Sequence, residues 1–135
     1  IGYVEQAYAK QNNLPVSLIK NEAGKFVEPS LDAVTAAADA FADKVPEDLR
    51  VSITNAPGDT SYPIAAFTYI LVYEEGQSFA KSEALAKFLW WATHEGQASC
   101  APLFYAKLPP GIVTKTEAKL KLLKAEGKPL LANAK

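Results

Sequence analysis

The 135 residues of this chain match the size of one domain, which is long enough to bury a hydrophobic core. Hydrophobic residues make up 49% of the sequence and charged residues 21%, a globular composition that argues against global disorder. The 14 basic and 15 acidic residues give a formal net charge of -1, so generic nucleic-acid binding through a basic surface is disfavoured.

The first part of the chain predicts a strand end, a short helix and a hairpin. Residues 1–5 are typical of a strand, and residues 5–11 carry apolar side chains at helical spacing. Residues 16–20 and 25–27 are strand candidates, and the Asn, Gly and charged residues between them favour a turn. We therefore expect these two segments to form a hairpin.

A second helix is predicted to begin after Ser30, whose hydroxyl can cap it. The apolar residues of this helix recur at helical spacing and are Leu31, Val34, Ala38 and Phe41. Residues 49–54 alternate apolar and polar side chains, which predicts a half-exposed strand. Residues 55–62 are rich in Gly, Pro, Asp, Thr and Ser and are typical of a loop.

Residues 64–73 form the longest apolar run and are rich in β-branched and aromatic side chains. This pattern predicts a central strand covered on both faces. The run is much shorter than the roughly 18 apolar residues of a membrane span. Because the sequence has no methionine and begins within a strand-like pattern, we expect the chain to be part of a longer protein.

The third predicted helix is capped by Ser78 or Ser82 and runs to about Glu95. Its predicted buried stripe consists of Leu85, Phe88, Leu89 and Ala92. Residues 103–108 are expected to be extended, a last helix is expected over about 112–124, and residues 126–135 show little pattern. Helices and strand candidates alternate, so the predicted class is α/β.

The sequence offers few residues for catalysis or metal binding. His94 is the single histidine and Cys100 the single cysteine, which leaves only carboxylates to complete a metal site. No spacing marks a nucleophile, a base and an orienting carboxylate. We therefore predict no catalytic residues, no metal site and no cofactor.

Two further features have both a structural and a functional interpretation. Residues 58–61, Gly-Asp-Thr-Ser, could cradle an oxyanion, but they lead into a strand and include Asp59, so a structural turn is favoured. Trp90 and Trp91 point about 100° apart on a helix, so one is expected in the core and the other at an edge or interface.

Several runs in order along the chain resemble the periplasmic phosphate-binding proteins, the extracytoplasmic receptors of phosphate ABC transporters. The most specific run is residues 1–14, Ile-Gly-Tyr-Val-Glu-Gln-Ala-Tyr-Ala-Lys-Gln-Asn-Asn-Leu. The later matching runs are residues 62–64, 67–72, 88–92 and 95–97, followed by Leu103, Tyr105-Ala106, Leu108-Pro109 and Val113. The resemblance covers nearly all of the 135 residues.

The resemblance implies the C-terminal part of a two-lobed, type II-like binding protein with a mixed sheet flanked by helices. Residues 1–60 would complete the second lobe, and residues 61–135 would supply the returning strand and C-terminal helices of the first. Such a protein captures inorganic phosphate, delivers it to a membrane permease and performs no chemistry. Its expected location is periplasmic.

The same resemblance implies that this segment lacks the phosphate ligands. In the family these are a Thr-Phe pair, a Ser, an Asp and an Arg-x-x-x-Ser-Gly-Thr run, all expected upstream of Ile1. Residues 58–61 do not replace that run, because Pro57 stands where its Arg would be. The remainder of the same protein, or a second copy of this chain, is expected to complete the core.

Two alternatives remain open at this point. One is an enzyme of phosphate metabolism related to these receptors, which would need an activated nucleophile. The other is a structural or inhibitory module that binds another protein, which would form a stable complex without phosphate.

Overall fold

The computed structural model describes residues 2–132, in which short strands and four α-helices alternate. The helices are α1 (Gln6–Gln11), α2 (Leu31–Asp39), α3 (Phe79–Thr93) and α4 (Pro110–Leu120). The strands are β1 (Ile19–Lys20), β2 (Phe26–Val27), β3 (Glu75–Gly76), β4 (Lys124–Ala125) and β5 (Lys128–Pro129). Short 3₁₀ turns cover Ala42–Lys44, Glu95–Ser99 and Ala101–Leu103.

The described strands form two small sheets. Strands β1 and β2 are antiparallel, with Ile19 opposite Val27. Strand β3 runs parallel to β4, which is antiparallel to β5, so the second sheet is mixed. The predicted α/β class, with a mixed sheet flanked by helices, is therefore confirmed.

The N-terminal elements agree with the sequence except at the first residues. Helix α1 and the β1–β2 hairpin form where they were expected, although each strand is only two residues long. The predicted strand over residues 1–5 is wrong for residues 2–5, which are irregular, and Ile1 lies outside the described residues.

Helix α2 begins as its sequence dictates. The Ser30 hydroxyl accepts a hydrogen bond from the backbone N–H of Ala33 at 3.2 Å, which satisfies one of the free donors at the helix N-terminus. The buried face of α2 contributes Ala37 and Ala38 to a core cluster that also contains Ile53. A neighbouring cluster around Val45 joins this region to α4.

The predicted strand over residues 49–54 is not formed in the structure. Leu49 adopts a left-handed backbone conformation, with φ of 62°, that an extended strand excludes. The Tyr69 hydroxyl lies 3.0 to 3.2 Å from Val51 N, Leu49 O and Val51 O. The Tyr69 side chain thus contacts backbone groups that would otherwise be available to pair with a neighbouring strand.

The predicted central strand over residues 64–73 is also not formed, and its two-sided burial is wrong. Leu71 is 95% exposed and Tyr73 is 90% exposed, although Ala65 and Val72 contact core clusters. No backbone hydrogen bond joins residues 64–73 to another residue within 2–132. A strand needs a partner strand, and the described residues place none beside this segment.

Helix α3 forms over the expected region, but its predicted buried stripe is only partly correct. Leu89 is buried together with Ala86, whereas Leu85 and Phe88 are exposed. The inner face of α3 packs against a cluster whose other buried members are Leu120, Leu123, Ala125, Leu130 and Leu131. Ser78 occupies the N-cap position but makes no side-chain capping bond.

The C-terminal part differs from expectation in its irregular segments. Residues 101–103 form a 3₁₀ turn, and residues 105–109 have no regular structure, rather than one extended segment over 103–108. Helix α4 ends at Leu120, and the segment that showed little pattern contributes β5 and the buried Leu130. Residues 133–135 lie outside the described part of the chain.

Candidate functional site

The loop at residues 58–61 is the anion-binding candidate that the sequence suggests, and three of its carbonyl oxygens and the Ser61 hydroxyl make hydrogen bonds within the protein. The amide nitrogen of Asn21 donates hydrogen bonds to the carbonyl oxygens of Gly58 and Asp59, both at 3.0 Å, and of Ser61 at 3.2 Å. The Ser61 hydroxyl donates to the Pro57 carbonyl at 2.7 Å. An arrangement of carbonyls around one amide donor favours a structural turn over an oxyanion cradle.

Asn21 is a residue whose role the sequence did not indicate. It was expected only as part of a hairpin turn, and its carbonyl oxygen does accept from the Lys25 N–H at 2.9 Å. Its side chain is only 5% exposed and crosses to a loop 37 to 40 residues later in the chain. The Asn21 amide therefore makes these hydrogen bonds to the protein itself and not to a ligand.

The N-terminus of α2 is the second place where an anion could be expected, since helix N-termini attract negative charge. An open concavity of about 460 Å³ lies there, and its lining residues include Glu28, Asp32 and Asp59. Ser30 already caps the helix. Three carboxylates around one concavity oppose the binding of an anion such as phosphate.

The guanidinium of Arg50 belongs to the single arginine of the chain and is engaged at the surface. Its Nη2 lies 2.7 Å from Asp48 Oδ2, and its Nε donates to the same oxygen at 2.8 Å. This hydrogen bonding holds the pKa of Asp48 below its ordinary value. Both side chains of the pair are largely exposed, and the guanidinium is engaged by the carboxylate rather than open to an anion.

His94 lies at the C-terminal end of α3 and connects it to α4. Its Nδ1 is 2.7 Å from the Trp90 carbonyl oxygen, and its Nε2 is 3.1 Å from Glu117 Oε1. The imidazole stacks on the Trp90 ring at a centroid distance of 4.3 Å. Both ring nitrogens therefore face structural partners, and the contact with Glu117 is one that the sequence did not predict.

An apolar cavity of about 320 Å³ lies between residues 67–72 and helices α3 and α4. Most of its lining is aliphatic or aromatic, and its charged lining residues are Glu74 and Lys119. A phosphate ion needs several hydrogen-bond donors to replace its water, and an apolar wall supplies none. This cavity is suited to apolar side chains rather than to an oxyanion.

Residues 2–132 contain no group of three or more His, Cys, Asp and Glu side chains arranged to hold a metal ion. Cys100 is a half-buried free thiol. Within the described range no helix combines the length and the apolar character needed to cross a bilayer.

The comparisons with known proteins include several relatives that carry the name phosphate-binding protein PstS. The chain is 36% identical over 132 residues to the phosphate-binding protein PstS of Pasteurella multocida, which covers 96% of this chain and 38% of that protein. It is 37% identical over 118 residues to PstS of Xylella fastidiosa strain 9a5c, covering 87% of this chain and 32% of the relative. It is 39% identical over 108 residues to PstS of Methanocaldococcus jannaschii, covering 72% and 28%.

No protein-family model matches the chain. The chain spans well under half the length of the curated relatives described above.

Proposed function

Because this chain belongs to the PstS phosphate-binding proteins and spans only part of their length, we propose that it forms part of the supporting scaffold of a phosphate receptor. The whole protein would capture inorganic phosphate outside the cytoplasm and deliver it to the permease of an ABC transporter. The observation that carries this proposal is the sequence match to relatives named phosphate-binding proteins.

The phosphate ligands are proposed to lie upstream of Ile1 rather than in this segment. Three features support this division. Arg50 is paired with Asp48, the carbonyls of residues 58–61 surround Asn21, and the α2 N-terminus is flanked by carboxylates. Each of these positions could have offered an anion site, and each has contacts that disfavour one.

The two-lobed assignment remains part of the proposal. Residues 1–60 would complete the second lobe, and residues 61–135 would provide the returning strand and the C-terminal helices of the first. The apolar, β-branched composition of residues 64–73, and the lack of backbone hydrogen bonds from them to other residues within 2–132, support a strand that pairs with polypeptide outside this segment. The remaining polypeptide would supply those neighbours.

We also propose that the protein catalyses no reaction. Its relatives carry the name of binding proteins, and a receptor needs only to close around its ligand and release it. His94 contacts the Trp90 carbonyl and Glu117, and the neighbouring Thr93 hydroxyl, 3.2 Å from Nδ1, donates to the carbonyls of Leu89 and Trp90, which is a structural arrangement.

Calorimetry tests the proposal. The full-length protein is expected to bind inorganic phosphate with a Kd of about 1 μM or tighter, whereas residues 1–135 alone should give no binding heat. Arg50→Ala in the full-length protein is the matched control and should leave the affinity unchanged. A full-length protein that ignores phosphate, or an isolated segment that binds it with micromolar affinity, would refute the proposal.

A further inference from the structure

Helix α3 carries apolar side chains on two faces. Its inner face packs against the buried cluster of α4 and the C-terminal hairpin through Ala86, Leu89 and Trp90. Its outer face, defined by Leu85, Phe88 and Trp91, is exposed at 44%, 55% and 48% respectively. The exposed alanines Ala80 and Ala84 extend this outer face toward the helix N-terminus.

Two of the three charged residues of α3, Glu83 and Lys87, form an ion pair at 3.0 Å on a narrow strip between the two faces. Lys81 precedes Leu85 by one helical turn and lies at the N-terminal end of the outer face. A helix at a protein surface normally has one apolar stripe and a broad polar side. A helix with two apolar faces is typical of one that lies between two packed layers.

The aromatic pair on the outer face is held in a fixed arrangement. The rings of Phe88 and Trp91 lie 5.9 Å apart at an interplanar angle of 32°. Gly96 packs beneath Trp91, since an added Cβ would lie 2.9 Å from the Trp91 carbonyl oxygen and 3.0 Å from its ring atom Cε3. Clustered, preorganised aromatic side chains of this kind form the centres of buried interfaces.

We infer that the outer face of α3 is the docking surface for the part of the phosphate-binding protein that lies outside this segment. The identity of this occupant rests on the proposed function, because the segment covers only 38% and 32% of two PstS relatives. Most of such a protein therefore lies outside the stretch that this segment matches. The three side chains that define the face are uncharged, which fits an apolar element of the same protein.

The test uses the full-length protein labelled with 5-fluorotryptophan. The Trp91→Phe variant identifies the ¹⁹F resonance of Trp91, which disappears from its spectrum. If the face is docked, the Trp91 resonance should show almost no shift between H₂O and D₂O. A solvent shift as large as that of free fluorotryptophan would overturn the inference.

A matched pair of substitutions provides a second measurement in the same full-length protein. Phe88→Ala removes a ring from the proposed interface, whereas Lys87→Ala changes the adjacent position on the charged strip. Phe88→Ala is expected to lower Tm by about 4 °C or more, and Lys87→Ala by less than about 1 °C. Equal, small shifts in both variants would contradict docking at this face.

The remaining outcomes separate the possible occupants and separate this inference from the function. A face covered by a second copy would give a doubled mass in light scattering and a Trp91 solvent shift that grows on dilution, which would overturn the inference. Phosphate calorimetry on the same sample completes the test. Phosphate binding together with an exposed Trp91 would refute the docking inference alone. A protected Trp91 without phosphate binding would refute only the proposed function.

Discussion

Helix α3 and residues 64–73 are both rich in apolar side chains, yet they differ in how far those side chains are buried. The inner face of α3 meets α4 and the C-terminal hairpin, so Leu89 is buried. Residues 64–73 have no strand beside them in the described part of the chain, and Leu71 is almost fully exposed. Apolar composition creates a need for burial, but burial itself requires a partner, and a helix needs fewer partners than a strand does.

The largest effect on stability should come from truncating a buried leucine of α3, and truncating an exposed leucine of residues 64–73 provides the comparison. Leu89→Ala creates a cavity in a packed cluster and should lower the free energy of unfolding by about 2–5 kcal/mol. Leu71→Ala removes an exposed side chain and should change it by less than about 0.5 kcal/mol. Urea unfolding of the 135-residue chain measures both values. A Leu71→Ala cost close to that of Leu89→Ala would show that the segment is packed and would remove the contrast.

The next effect concerns the buried amide of Asn21. Asn21→Ala leaves three carbonyl oxygens of the 58–61 loop without their donor and should cost about 1–3 kcal/mol of unfolding free energy. Asn12→Ala is the control, since its side chain donates one exposed hydrogen bond to the Tyr8 carbonyl. Equal costs in the two variants would mean that the loop is not tied down by Asn21.

A smaller effect is expected at the start of α2. Ser30→Ala removes the capping hydrogen bond to Ala33 and should cost about 1 kcal/mol. Ser78→Ala tests the same residue type at the start of α3, where no side-chain capping bond exists, and should be nearly neutral. Thermal unfolding by circular dichroism is sufficient, and a larger loss at Ser78 than at Ser30 would contradict the assigned caps.

The smallest effect involves the exposed Asp48–Arg50 pair. Because the folded pKa of Asp48 is lowered, its contribution is present above the ordinary pKa of about 3.9 and is lost as the pH falls through the folded pKa. Asp48→Asn should therefore lower Tm slightly at pH 7 and leave it unchanged at about pH 2. The difference at pH 7 should shrink in 1 M salt, where exposed charges are screened. A difference that grew on acidification would have the wrong sign for this pair.

Local features were the ones that the sequence predicted well. The Ser30 cap, the β1–β2 hairpin and the position of α3 depend on residues within a few positions of one another. The division between Trp90, which packs on the core, and Trp91, which is half exposed, follows from helix geometry alone and is confirmed. Such features need no knowledge of distant contacts.

The features that the sequence missed depend on contacts between distant parts of the chain. The sequence predicts Asn21 only as a turn residue, because no neighbouring residue indicates that its side chain donates hydrogen bonds to a loop 37 to 40 residues later. The contact between His94 and Glu117 joins two helices and has no local pattern. Residues 64–73 have the composition of a strand, but the described residues place no partner strand beside them.

The most direct test of the account is a crystal structure of the full-length protein with bound phosphate. We expect every atom that contacts the phosphate to belong to polypeptide upstream of Ile1, with residues 1–135 forming the supporting scaffold. Phosphate held by Arg50, by residues 58–61 or by other groups of this segment would contradict the central claim.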